Sequence, residues 1–109
     1  MRLLKSEQAI IAPEKLRDYL LNPGHPQNRG KARLFAALGY TRNSWQVLES
    51  DIRTQHLVLE AREGRSHAYG RTFEIVGMLR GPAGASIIMT VWMYDRGSDI
   101  PRFLTARRA

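Results

Sequence analysis

His25 is held in Asn22-Pro23-Gly24-His25-Pro26, a loop whose two prolines restrict where its ring can go. A histidine presented in this way can take or give a proton near neutral pH. It can equally be a turn residue that bonds its own backbone. His56 lies at the end of a helix-like stretch, where the macrodipole favours a cation, and reads as structural. His67 lies between Arg65 and Tyr69 and reads as solvated. The other chemistry-bearing feature is a set of cations interleaved with aromatics. Arg62, Arg65, His67, Tyr69 and Arg71 share one polar stretch, Arg102, Arg107 and Arg108 lie near the C-terminus, and Arg29, Lys31 and Arg33 cluster together. Metal-free RNA cleavage needs little more: a base or hydrogen-bond network to activate the 2′-OH, cations to meet the charge of the phosphorane, and an aromatic to stack on the base. Without catalysis the same set is a phosphate-binding surface, and any single arginine of it reads as a solvated face.

Other chemistries fit poorly. No pair of histidines has metal-site spacing and no carboxylates cluster with them, so no metal is expected. The fingerprints of a P-loop, a nucleophile elbow and a dinucleotide fold are missing, and no cofactor is implied. Gly81-Pro82-Ala83-Gly84 joins two β-rich runs and is a hairpin turn rather than a phosphate cradle. The absence of cysteine excludes disulfides and thiolate chemistry and fits a cytoplasmic chain. No apolar run approaches the ~20 residues that span a bilayer, and the first residues do not read as a signal peptide. Of 17 cationic side chains only Lys5, Lys15 and Lys31 are lysine, and the formal net charge is +7. Arginine's planar fork suits phosphates and stacks on bases, although a high-GC genome also favours arginine. The charge points to an anionic partner: RNA, DNA, an acidic protein or an anionic surface.

The elements that must position these residues follow from periodicity. Residues 1–12 read as a lead-in, with Ala9-Ile10-Ile11 able to form a short edge strand. Pro13 suits a helix's first position, and Leu16, Tyr19 and Leu20 follow at helical spacing until Asn22-Pro23-Gly24. A second helix is predicted over Lys31–Leu38, stopped by Gly39. A third starts with Asn43 as cap and Gln46 completing a capping box, carries Trp45, Leu48 and Ile52 on one face, and runs to about Gln55. His56–Ala61 either extends it or forms a first strand. Residues 62–71 read as the longest polar connection. Thr72–Leu79, Ala85–Tyr94 and Arg102–Arg107 then form an antiparallel meander, because the breaks between them are too tight for a crossover. Residues 1–109 therefore form one α+β domain, with two to three N-terminal helices packed on a three- to four-stranded antiparallel sheet. Ala85–Tyr94 is apolar on both alternations and should be central. Thr90 interrupts one of its faces and reads first as a satisfied β-former.

Taken together, Pro13-Glu14-Lys15-Leu16, Tyr19-Leu20-Leu21-Asn22-Pro23, His25-Pro26, Lys31-Ala32, Phe35, Leu38-Gly39, Phe73, Gly77, Leu79, Gly81-Pro82, Gly84, Thr90-Val91-Trp92, Gly97-Ser98-Asp99, Pro101 and Thr105 resemble a bacterial domain-of-unknown-function family. Its members look like free small proteins and like C-terminal tips of exported or phage-associated polypeptides, a setting typical of polymorphic toxins. Helices followed by an antiparallel sheet are similar to the barnase–RelE-type ribonuclease fold. The resemblance implies His25, Lys31, Thr90, Trp92 and Thr105 as the recurring polar positions. It has no counterpart for the arginines of 62–71, whose role rests on charge. The expectation is a metal-independent ribonuclease or closely related nucleic-acid-processing toxin domain in which His25 is the acid or base, Lys31 and Arg71 bind the phosphate, and Thr90 or Thr105 orient the substrate. Arg62, Arg65, Arg102 and Arg107 would carry the nucleic acid, with RNA favoured. An acidic antitoxin or immunity protein would silence the basic face. The competing expectation is a non-enzymatic nucleic-acid-binding or protein-interaction module.

Overall fold

The computed structural model describes residues 1–109. Four strands, β1 Arg62–His67, β2 Gly70–Arg80, β3 Ala85–Asp95 and β4 Pro101–Arg108, pair in sequence order as one sheet. Every pairing is antiparallel, as the short connections require. With the helical segments packed on one side, the fold is α+β. The stretch read as a polar connection is thus largely strand: β1 and β2 meet through a tight turn at Ala68-Tyr69. Exposed strand residues on a sheet edge look like loop in the sequence, since neither face of β1 is apolar.

Pro13 and Glu14 open the first helical segment, and its body, Lys15–Leu20, is wound wide, with Leu21 N bonding Leu16 O at 2.9 Å. Leu16, Leu20 and Leu21 are buried, while Lys15 and Tyr19 are only partly so. Helix α1, Lys31–Ala37, ends at Gly39 (φ 96°), where a Cβ would stand 2.6 Å from the backbone nitrogen of Ala83. Glycine is what lets the β2–β3 turn dock on the helix end, through Ala83 N to Leu38 O at 2.9 Å. Helix α2, Trp45–Asp51, continues as a wide-wound turn over Ile52–His56. Its approach is capped by Thr41 rather than Asn43: a 3-10 turn at Arg42–Ser44 moves the start back, and Thr41 Oγ1 accepts from Ser44 N. The chain then leaves through a turn, and His56–Ala61 does not become a strand.

The core lies between the helices and one face of the sheet. Leu16, Leu20, Phe35, Leu48 and Ile52 pack with Ile75, Leu79, Ile88, Trp92, Phe103 and Ala106, all essentially inaccessible. Trp92 and Phe103 meet edge to face, 5.3 Å between centroids, a favoured aromatic geometry. On the other face Val76, Met78 and Ile87 remain exposed. β4 is an edge strand, and at its start Ile10 adds one parallel bridge to Arg102, where the sequence allowed an edge strand. Its register against β3 jumps from Trp92↔Phe103 to Val91↔Thr105, which leaves Leu104 as an extra residue. This bulge breaks the alternation: Phe103 and Ala106 are buried, and Leu104 and Thr105 between them are half-exposed. No helix is long and apolar enough to cross a membrane.

Candidate active site

Three side chains from three distant parts of the chain converge beside the β4 bulge. Lys31, the first residue of α1, donates from Nζ to the Tyr19 hydroxyl at 2.5 Å and to Thr105 Oγ1 at 3.2 Å. The Tyr19 and Thr105 oxygens are 3.0 Å apart. Lys31 forms no salt bridge, so its charge meets only neutral oxygens and stays available to an anion. Lys15 Nζ lies 5.9 Å and Lys31 Nζ 5.1 Å from the Tyr19 ring centroid. Burial raises the Tyr19 phenol. The hydrogen bonds with Lys31 and Thr105, with the charges of Lys31 and Lys15, outweigh it and hold the hydroxyl below the ordinary tyrosine range.

Asn28 sets this geometry. It is buried, its amide donates to the carbonyls of Tyr19 (2.6 Å) and Leu20 (3.1 Å), and its Oδ1 accepts from Ala32 N at 2.8 Å. One side chain thus ties the end of the first helical segment to the first turn of α1, and so Tyr19 to Lys31. His25 stands at the rim, its ring edge-on to Tyr19 with 5.1 Å between centroids. Its Nδ1 accepts from Gln27 N at 3.1 Å, so the neutral ring carries its proton on Nε2 and offers a donor. Tyr19, His25, Lys15 and Leu104 line an open cleft of about 430 Å³ together with Glu14 and Asp18. Asp18 is already engaged by Arg17 and Arg42.

Of the four residues expected to do chemistry, the fold brings Lys31 and Thr105 together and places His25 next to their partner Tyr19. Thr90 does not join them, because it is fully buried in the core. Its hydroxyl accepts from Trp92 Nε1 at 2.9 Å and lies 3.0 Å from His56 Nδ1, while His56 Nε2 lies 3.1 Å from the carbonyl of Gly77. A carbonyl can only accept, so Nε2 carries the imidazole proton and Nδ1 accepts from Thr90. The result is one directed chain, Trp92 to Thr90 to His56 to Gly77, with every member satisfied. Burial holds His56 below the ordinary histidine range, against the opposing bond to Gly77. Its role is structural, and Trp92 is likewise a core residue.

The arginine surface is less bare than charge alone implied. Arg71 makes two bonds to Glu63 (2.8 and 2.9 Å), Arg102 two to Asp95 (2.6 and 3.0 Å), and Arg62 one to Glu74 (3.2 Å). A phosphate would have to displace these carboxylates. Arg65 and Arg107 are exposed and outside the salt bridges. Arg71 sits on β2, away from Lys31, so the two do not form one phosphate clamp. No three histidine, aspartate or glutamate side chains converge as metal ligands.

Tyr19 and Asn28 are the site residues that sequence reasoning missed. In the sequence Tyr19 reads as part of a helix stripe with Leu16 and Leu20, and nothing there singles out Asn28. The signal that could have found Asn28 was its position shortly before an apolar-periodic helix start, where an asparagine often serves the first turn. A family model described as Domain of unknown function (DUF6883) matches residues 2–108. No curated protein and no solved structure matches the chain.

Proposed function

The chain belongs to this domain-of-unknown-function family, and from the geometry of its cleft we propose that it is a metal-independent ribonuclease acting by proton transfer and cationic phosphate stabilisation. The observation that carries the reading is the unneutralised Lys31 ammonium, held by the hydroxyls of Thr105 and of Tyr19, the last of which lines an open cleft. Tyr19, as the phenolate that Lys31 favours, takes the proton of a ribose 2′-OH. The 2′-oxygen attacks phosphorus, a 2′-O–P bond forms, and the P–O5′ bond breaks to leave a cyclic phosphate. The departing 5′-oxygen takes its proton from water. Lys31 and Lys15 meet the charge that grows on the phosphorane, and Thr105 keeps the phenol oriented. His25 gives the Nε2 proton of its neutral ring as a hydrogen bond to a non-bridging oxygen. Its other nitrogen is occupied by the turn, so this proton is what it offers the cleft.

Set against this, a purely binding module would rest on the arginine surface, and three of its five arginines are already paired with carboxylates. On the proposed reading, a toxin setting and an acidic partner that covers Lys15 and Lys31 both follow as proposals. The test is incubation with total RNA, tRNA and duplex DNA in EDTA. RNA should be cut by the wild type, with Tyr19→Phe and Lys31→Ala folded but slower by about 10²–10⁴. The rate should rise with pH as Tyr19 ionises. Intact RNA with the wild type, or wild-type cleavage by Tyr19→Phe, would overturn the reading.

A further inference from the structure

A second, larger cavity lies at the Tyr94–Asp95 end of β3, about 760 Å³ in volume, within the size range of small-ligand sites. Three segments make its walls. The β1–β2 turn and the β3–β4 turn are clamped together by Arg96 N bonding Tyr69 O at 2.8 Å. The N-terminal segment is fastened by the Tyr94 hydroxyl, which donates to the carbonyl of Leu4 at 2.7 Å. Gly70 permits this closure, since a Cβ there would come within 2.4 Å of the Tyr94 carbonyl. The cavity is therefore held in shape by one backbone bond and one tyrosine side-chain bond rather than left as a surface dent.

Its lining has two characters. Leu4, Phe73 and Tyr94 give an apolar, aromatic surface, with Phe73 and Tyr94 edge to face at 5.4 Å. His67 lines it as well, and Tyr69 stacks on His67 with centroids 5.1 Å apart and planes within 9°. An exposed pair of parallel rings with no packing duty is a platform for a third flat ring. The charges are equally one-sided. The lining carboxylates Asp95 and Asp99 are taken by Arg102 and Lys5, and Arg71 by Glu63. Arg2 and Arg96 form no salt bridge and are the cations left over. An apolar aromatic cleft with spare guanidinium groups at hand selects a flat heteroaromatic ring that carries an anionic group.

We propose that this cavity binds a nucleotide unit, its base against the aromatic lining on the His67–Tyr69 platform and its phosphate on Arg2 and Arg96. Neither Lys31 nor Tyr19 lines this cavity, so the site stands whether or not the chain cleaves RNA. A free mononucleotide and a nucleotide within a strand offer the same ring and phosphate. The test titrates the wild-type chain with 5′-AMP, 5′-GMP, 5′-CMP and 5′-UMP, and separately with a DNA pentanucleotide that lacks the 2′-OH and so cannot be cut by the route above. Binding is followed by calorimetry and by chemical-shift changes. Saturable binding of at least one probe is expected, with shifts at Phe73, Tyr94 and His67 and none at Lys31. Tighter mononucleotide binding identifies a free-nucleotide site, and tighter pentanucleotide binding a strand subsite. His67→Ala should weaken binding about ten-fold, in line with the loss of one stacked ring, and the exposed change Arg96→Glu should do so without touching the ring platform. No saturable binding of any probe at millimolar concentration, or binding that both variants leave intact, overturns the proposal. Loss of RNA cleavage in Tyr19→Phe with nucleotide binding retained keeps the two readings separate.

Discussion

Thr90→Val removes one hydroxyl from the middle of the buried hydrogen-bond chain and replaces it with a methyl of nearly the same shape. Two groups lose their only partner at that position: the indole N–H of Trp92, which donates to Thr90 at 2.9 Å, and Nδ1 of His56, which accepts at 3.0 Å. Both residues are fully buried, so water cannot replace the hydroxyl without opening the core. Each unsatisfied buried polar group costs about 1–3 kcal/mol. The added methyl returns about 0.8 kcal/mol of burial. The net loss is then about 1–5 kcal/mol, which in a domain of this size lowers Tm by roughly 4–8 °C per kcal/mol. Thr90→Ser keeps the hydroxyl and loses only the methyl, for about 1 kcal/mol. Urea unfolding followed by tryptophan fluorescence should show a lower midpoint for Thr90→Val with an unchanged slope, since the exposed surface is the same. If Thr90→Val stays within about 0.5 kcal/mol of wild type, or if Thr90→Ser is the worse of the two, the directed chain is wrong. A Thr90→Val protein that is stable yet inactive on RNA would return Thr90 to the catalytic set.

The same network predicts how stability depends on pH. His56 is held neutral in the fold below its ordinary value of 6.5, so the unfolded chain binds the extra proton first. Its contribution is present in full above about pH 6.5 and is lost as pH falls toward the folded-state value. Urea midpoints taken from pH 8 to pH 5 should fall, and His56→Gln, though less stable at pH 8, should fall less over that window. An equal slope in both proteins would place the acid sensitivity elsewhere. Asn28→Ala removes three bonds and leaves the Ala32 N–H without its side-chain acceptor. It should cost about 2–3 kcal/mol, read from the urea midpoint, and it should depress RNA cleavage even at temperatures where the variant is fully folded. Cleavage at the wild-type rate under those conditions would show that Asn28 does not position Lys31.

Fold class and strand order were legible because they rest on local signals that agree. The turns at Gly81–Gly84 and Gly97–Asp99 forced antiparallel pairing, Pro13 and Gly39 marked real helix boundaries, and the two-faced apolar run of β3 marked a central strand. β1 was missed for the opposite reason. An edge strand exposed on both faces carries no alternation, so Arg62–His67 had nothing to separate it from a loop. The third helix's cap was misplaced because Asn43 and Thr41 are both good caps, and only the 3-10 turn between them decides. Charge misled more than pattern did. A count of arginines contains no information on which carboxylates fold back onto them, and Glu63, Glu74 and Asp95 come from pairing across the sheet.

Tyr19 shows why half of the cleft could not be seen in advance. In an ordinary α-helix, positions 16, 19 and 20 share one face and position 21 turns away from it, so Leu16, Tyr19 and Leu20 read as one core stripe. The wide winding of Lys15–Leu20 changes which residues align. Leu16 is then in step with Leu20 and Leu21, all three buried, and Tyr19 rotates off the stripe to the margin where Lys31 and Thr105 meet it. The leucine at 21 is thus what releases the tyrosine at 19, since the core takes its apolar side chain from the later position. A second irregularity completes the arrangement from the other side: the extra residue Leu104 leaves Thr105 half-exposed at an edge whose neighbours Phe103 and Ala106 are buried. Both are departures from regular winding and regular alternation, the two periods on which sequence reading depends. A site built where each period slips by one residue leaves its ingredients, Lys31 and Thr105, visible as residue types, and hides the geometry that joins them.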